Sequence, residues 1–288
     1  MEPNLDEKRN WEDNGYCILP GLITEEAIDS LLDDLGQFRA DCGETKDEFG
    51  FGQRIGLFHV ENEKSLAISL HPKIVQFCQW AMQSEPLLFG SLSFEAGTEQ
   101  ELHMDSIFFH TEPAHHMVGV WIALEDIDEE AGPLYYVPGS HKWNFPYGED
   151  VLLDNPEFND RVMAARAGNI SPEEIVQLSS EMGQSWTSQL LQQEKASPAA
   201  RVLNLAKKGD VFFWHGRLAH GGTARINREL SRNSMVCHFI SNECLFFDMN
   251  TFFVKPKAEY VRENSMGLSV LSGPNGAKYT QHEKPVTY

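Results

Sequence analysis

The stretch Gly209-Asp210-Val211-Phe212-Phe213-Trp214-His215-Gly216-Arg217-Leu218-Ala219-His220-Gly221-Gly222-Thr223 decides how this chain folds. Gly-Asp is a turn signal, Val211 to Trp214 have high β propensity, and a glycine soon follows, which reads as a short strand. Runs of the same kind lie on both sides. Leu87 to Phe94, Val118 to Leu124, Leu134 to Val137 and Val202 to Leu205 precede it, and Ser234 to Ile240 follows. Gly, Pro and Asp signals separate them, among them the turn Glu130-Ala131-Gly132-Pro133. Parallel sheets need helices between their strands, so the spacing predicts an all-β barrel or a double-sheet jelly roll.

Outside these runs the texture is helical. Residues 1–86 contain one short strand, Tyr16 to Leu19, bracketed by Asn14-Gly15 and Pro20-Gly21. Thr24 can cap a helix whose apolar face is Ile28, Leu31, Leu32, Leu35 and Phe38. A second helix is expected after Pro72, with Ile74, Phe77, Cys78, Ala81 and Met82 inward. Gly43 to Gly56 is polar and glycine-rich, a loop candidate. Between strands, Ser171-Pro172-Glu173-Glu174 is a capping box with Pro at the first helical position. Residues 150–198 therefore read as a partly helical insertion, either a lid or a passive excursion. The expected organisation is one domain over 1–288: a helical flank (1–86), a β core (87–242) with that insertion, and a C-terminal extension (243–288).

Composition excludes several functions. The 288 residues hold 23 Lys and Arg against 43 Asp and Glu, a net charge of −20. Such a chain has no broad basic face, which argues against nucleic acid and anionic membrane surfaces as partners. No run approaches 18 apolar residues, and Met1 to Arg9 lack the apolar run of a signal peptide. Five cysteines (Cys17, Cys42, Cys78, Cys237, Cys244) are scattered and never form C-x-x-C. They suit buried thiols in a reducing cytosol, so a cytoplasmic protein is expected.

Three places could carry chemistry. In His103-Met104-Asp105, an extended backbone aims an imidazole and a carboxylate to the same side. His220 ends the quoted stretch, and Gly221-Gly222 leave room beside it for something bulky. His, Asp and His on one face leave three positions open on an octahedral iron, and such ligands suit Fe(II). No thiolate is near in sequence, unlike a structural zinc site. Arg232 follows His220 by twelve residues and enters an apolar strand. A buried guanidinium needs an anionic partner. That partner is either one of the acidic side chains or the distal carboxylate of a dicarboxylic cosubstrate. His215 competes with His220 as the distal ligand.

Four pieces taken in order resemble the phytanoyl-CoA dioxygenase family of Fe(II)/2-oxoglutarate-dependent oxygenases. They are Gln100-Glu101-Leu102-His103-Met104-Asp105; Trp121; Gly132-Pro133-Leu134 running into Val137-Pro138-Gly139-Ser140-His141-Lys142; and Gly209-Asp210 through Trp214-His215 to His220, then Arg232 ahead of Cys237-His238-Phe239. The match covers roughly residues 87–242, with an echo at Gly15 to Gly21. The resemblance implies a double-stranded β-helix (jelly-roll, cupin-like) core with flanking helices. It implies His103, Asp105 and His220 as ligands of Fe(II), and Arg232 as the clamp on the C5 carboxylate of 2-oxoglutarate. Trp121 would line the cosubstrate pocket, and His215, in the strand leading to the ligand, would lie behind the ligands or in the core.

The resemblance also implies O2 as cosubstrate, with 2-oxoglutarate decarboxylated to succinate and CO2 and an aliphatic C–H of a small metabolite hydroxylated. Related halogenases carry Gly or Ala at the position of Asp105, so halogenation is not expected. The family often has Ser or Thr two residues after the distal His. Here that place is Gly222, and Thr223 follows as the nearest hydroxyl for the cosubstrate. Arg54, Phe108 and Tyr135 are candidate substrate contacts. His110, His115, His116, His141 and His238 are read as structural or solvent-facing. Two alternatives stand beside this reading: a cupin-type metalloenzyme that uses no 2-oxoglutarate, and a non-catalytic binding module.

Overall fold

Residues 2–42, 54–146, 156–247, 269–281 and 286–287 are described by the computed structural model of the chain. The main sheet runs in the order β1 (Tyr16–Leu19), β8 (Val211–His215), β5 (Met117–Ala123), β10 (Ser234–Ser241), β3 (Pro86–Phe94), each pair antiparallel. β5 and β10 are buried along their whole length, so both faces of the sheet are covered. Period-2 alternation sorts the side chains. Val118, Val120, Ile122, Phe213 and Cys237 face the helices α2 (Glu25–Cys42) and α4 (Pro72–Met82). Trp121, Phe212, Trp214 and Val236 face the other way, toward Leu134 and Tyr136. Each fully buried aliphatic or Phe side chain is worth about 2 kcal/mol over exposure. A one-residue slip would put the whole set on the wrong face, so the register is strongly specified.

Leu134 and Tyr136 belong to a smaller sheet, β7 (Val202–Leu203), β6 (Leu134–Tyr136) and β9 (His220–Gly222). Two sheets face to face with helices outside form the expected jelly roll. The flanking helices bury the expected faces. α2 buries Ile28, Leu31 and Leu35, and the Thr24 hydroxyl accepts the Ala27 N–H at 3.3 Å. α4 starts at Pro72 and buries Ile74, Phe77, Cys78 and Met82.

The insertion lies between β6 and β7 as α5 (Pro156–Arg166) and α6 (Pro172–Ala196). The capping box forms: the Glu174 N–H donates to Ser171 Oγ at 3.2 Å, and the Ser171 N–H donates to Glu174 Oε2 at 2.7 Å. Leu178, Met182, Trp186 and Leu190 make one buried stripe along α6. The stripe packs on Leu102, Met104, Tyr135 and Val137, bracing the backbone ahead of Asp105 from behind.

Three regions differ from the sequence expectation. Residues 43–53 of the polar loop lie outside the described residues, while Arg54–Gly56 forms β2 and pairs with Phe94, Ser93 and Leu92 of β3. The reason is the open edge of β3, whose N–H and C=O groups need partners. β7 stops at Leu203 instead of Leu205 because its partner β6 offers only three residues. The C-terminal extension supplies strands: β12 (Val270–Ser272) and β13 (Lys278–Thr280) form a hairpin, and β13 runs parallel to β3 at Leu87 and Leu88. Among the described residues, no helix is long and apolar enough to cross a membrane.

Candidate metal centre and its cavity

His103 and His220 meet through their backbones. The His103 N–H donates to the His220 carbonyl and the His220 N–H to the His103 carbonyl, both at 2.9 Å. This reciprocal pair brings the two rings together, tilted at 54° with centroids 4.3 Å apart. Met104 is extended and buried in the cluster under α6, so its two neighbours face the opposite side. Asp105 opens a 3-10 turn over Asp105–Ile107. Its Oδ1 lies 3.6 Å from Nε2 of His103 and 3.6 Å from Nε2 of His220. Among the described residues, these three side chains form a group whose ligand atoms all lie within 4.8 Å of one another.

The atoms that face away from this point are all engaged. His103 Nδ1 sits 2.8 Å from the Glu101 carbonyl and His220 Nδ1 2.8 Å from the Leu218 carbonyl. A ring nitrogen facing a carbonyl must donate, which leaves each Nε2 directed at Asp105. Burial, followed by the nearby His220 ring, pulls the His103 pKa down to about 4, so that ring is neutral at physiological pH. Burial works to raise the Asp105 pKa. The His220, His238 and His103 rings and the Trp214 N–H outweigh it and hold the carboxyl below its usual value. A lone pair on His103 therefore meets a carboxylate oxygen with no proton between them. That donor set fits a divalent cation with open positions, and imidazole with carboxylate suits iron.

The group opens into a cavity of about 530 Å³. Arg232 lies in it, 3% exposed, with Nη1 donating to the Gly132 carbonyl at 3.2 Å and Nε without a partner. Among the described residues no carboxylate is within ion-pair distance of it. Burial, with Arg225 adding, pulls its pKa down to about 10. Trp121 is buried on the same wall, and its indole N–H also has no partner. Two orphaned donors beside a metal-capable triad define a place for an anion.

The structure separates the other candidates. Arg54 and Phe108 line the cavity; Phe108 is 39% exposed at the mouth, edge-on to His103 at 5.7 Å. Tyr135 does not line it. Leu134 and Tyr136 face the main sheet, so the intervening Tyr135 points away, into the cluster under α6, with the Arg201 guanidinium 4.3 Å from its ring. The Thr223 hydroxyl donates to the Pro133 carbonyl at 3.1 Å, and the residue lies outside the cavity lining. His215 points out of the cavity, toward Trp11, His115 and His141.

Two cavity residues escaped sequence reasoning. His238 lines the cavity with Nε2 3.7 Å from Asp105 Oδ2, where a structural or exposed residue was expected. Trp214 donates its indole N–H to the same oxygen at 2.8 Å. Even spacing along β10 was the available signal for His238, since Val236 and His238 share its cavity face.

A family model for phytanoyl-CoA dioxygenase (PhyH) matches residues 11–234. The peroxisomal phytanoyl-CoA dioxygenase of Rattus norvegicus is 22% identical over 275 residues, covering 85% of this chain and 71% of that protein. Phytanoyl-CoA dioxygenase domain-containing protein 1 of Danio rerio is 28% identical over 185 residues, 46% of this chain and 64% of that one. Among solved structures, the epimerase SnoN from nogalamycin biosynthesis, in complex with Fe3+, alpha ketoglutarate and nogalamycin RO, superposes with a TM-score of 0.62 at 18% identity, covering 96% and 97% of the two chains. HygX from Streptomyces hygroscopicus, with nickel and 2-oxoglutarate bound, gives 0.53 at 17% identity, covering 84% and 88%. At these identities the two structures speak to fold alone. The chain belongs to the phytanoyl-CoA dioxygenase family of iron- and 2-oxoglutarate-dependent oxygenases.

Proposed function

We propose that this enzyme hydroxylates an unactivated aliphatic C–H of a small-molecule metabolite, with 2-oxoglutarate decarboxylated to succinate and CO2. His103, Asp105 and His220 hold the iron, and Arg232 receives the far carboxylate of 2-oxoglutarate. The observation that carries this reading is the buried Arg232, without an anion of its own, sharing one cavity with the His-Asp-His group. A guanidinium and a carboxylate form a bidentate pair, and the Trp121 N–H adds a third donor.

Iron with the ketoacid supplies the oxidising power when bound; the rest is placement. The His103 and His220 backbone pair sets the spacing of the imidazoles, and their Nδ1–H bonds fix the ring planes. Phe94, Leu134 and Val236 give the inner wall an apolar surface that keeps water from the reacting centre. Arg54 and Phe108 stand where an incoming substrate passes, and we assign both to substrate contact. The Asp105 carboxylate fills the ligand position that a halide would need, which favours hydroxylation. All five cysteines are free, which supports a reducing compartment, and we place the enzyme in the cytoplasm.

The test supplies the protein with Fe(II), ascorbate, 2-oxoglutarate and O2, and measures succinate together with 2-oxoglutarate binding. Succinate formation that disappears in Arg232→Met is the expected result. A protein that binds the metal but neither binds nor decarboxylates 2-oxoglutarate would overturn the reading in favour of a cupin-type metalloenzyme.

A further inference from the structure

Asp105 has two oxygens in different surroundings. Oδ1 faces the two Nε2 atoms at 3.6 Å each. Oδ2 accepts the Trp214 N–H at 2.8 Å and has His238 Nε2 at 3.7 Å. Trp214 and His238 come from different strands, and Gly119 lies between them. Gly119 of β5 is opposite Trp214 of β8 on one side and opposite His238 of β10 on the other. The three residues form one row across the sheet, under the aspartate.

The glycine is what lets the indole reach. A β-carbon on Gly119 would stand 2.0 Å from Trp214 Cε2 and 2.2 Å from Cζ2. The ring therefore lies in the space where a side chain on β5 would be. It is 2% exposed, stacks on Phe212 at 5.7 Å and meets the His220 ring at 5.2 Å. An indole has one N–H and no acceptor, so a ring locked in this pose can only donate, and only toward Oδ2.

We infer that Trp214 is a positioning residue that confines Asp105 to a single ligand oxygen by holding the other in a hydrogen bond across Gly119. The inference rests on the reading of His103, Asp105 and His220 as metal ligands. A facial triad keeps three positions of an octahedral ion open. A carboxylate free to turn can present both oxygens and fill one of those three. Two positions taken by the ketoacid would then leave none. The hydrogen bond thus protects coordination number, a role distinct from filling the core. The charged partner makes this bond stronger than a neutral one.

Co(II) is the probe, because its visible d–d bands report coordination number without turnover. In the unaltered protein, Co(II) should bind, and Asp105→Ala should weaken that binding. In Trp214→Phe, which keeps an aromatic ring and removes the N–H, 2-oxoglutarate should still bind the Co(II) form, and the d–d bands of that complex should shift and weaken toward those of a higher coordination number. Superimposable bands with 2-oxoglutarate bound would show that Trp214 only packs, and would overturn the inference while leaving the metal assignment intact. Should Trp214→Phe fail to fold, site-specific replacement of Trp214 by benzothienylalanine, in which sulfur replaces the N–H in a ring of the same shape, carries the same two outcomes. Absence of Co(II) binding in the unaltered protein, or an affinity left unchanged by Asp105→Ala, would overturn the metal reading and this inference with it.

Discussion

The two ends of the cavity are built on opposite plans. At the metal end every polar atom that does not face the centre is engaged: both Nδ1 atoms on carbonyls and Asp105 Oδ2 on Trp214. At the other end, Arg232 Nε and Trp121 Nε1 are buried with no partner. The first arrangement is finished before a ligand arrives. The second holds an unneutralised cation at a standing cost, because burying an unpaired charge is unfavourable. The difference teaches where binding energy comes from. On the proposed assignment, metal binding draws on preorganised donors, whereas ketoacid binding also neutralises the buried Arg232.

The largest effect should come from the finished end. Asp105→Ala removes the anionic ligand, and turnover to succinate should fall about 10³-fold or more, since metal chemistry is worth several kcal/mol. Residual turnover near the unaltered rate would break the contrast at its root. At the unfinished end, Arg232→Met should weaken 2-oxoglutarate about 100-fold by calorimetry, the usual scale for losing one partner of a buried charge pair. The same variant should melt higher than the unaltered protein when neither holds 2-oxoglutarate, because the unpaired guanidinium is gone. A lower melting temperature would mean that Arg232 is satisfied in the empty fold.

Acid separates the cavity from its surroundings. Burial, the largest cause in each case, holds His103 neutral down to about 4 and His215, outside the cavity, down to about 3. An unfolded imidazole takes up its proton near 6.5, so the unfolded state binds more protons between 6.5 and those values. Stability is complete above about 6.5 and falls as pH drops toward 4. From pH 7 to pH 5, His215 alone should cost about 2 kcal/mol. His215→Asn keeps an acceptor for the Arg217 N–H that now bonds Nδ1, and should remove that share. Urea unfolding at the two pH values measures it, and an unchanged acid loss would move the sensitivity elsewhere. Smallest is Trp121→Phe, which should raise the Kd for 2-oxoglutarate about 10-fold and leave metal affinity alone, as expected for one hydrogen bond to a charged group.

Much of this frame was legible because it depends on local spacing. Ile28, Leu31 and Leu35 declare a helix face, and Ser171 with Glu174 declares a helix start, whatever the rest of the chain does. Val211 to Trp214 declares a strand in the same way. The residues around Asp105 are a different case. His103 and His220 come together through a backbone pair spanning over a hundred positions, and the family pattern pointed to it, not the local spacing. Trp214 reaches Asp105 because residue 119 on the neighbouring strand is glycine, a relation of register that no window of sequence contains. Tyr135 is the instructive miss. Its place between Leu134 and Tyr136 puts it on the opposite face from theirs, a relation that the alternation of a strand already carries.

The late strand β13 sets an order of events during synthesis. Lys278 and Tyr279 pair with Leu87 and Leu88, and the Thr280 hydroxyl donates to the Phe89 carbonyl at 2.9 Å, a partner made 191 residues earlier. Until residue 280 leaves the ribosome, that edge of β3 is an unsatisfied template for other nascent chains. Folding of the oxygenase therefore closes from its C-terminal side, and pausing translation just before β13 should leave an edge that a chaperone can hold.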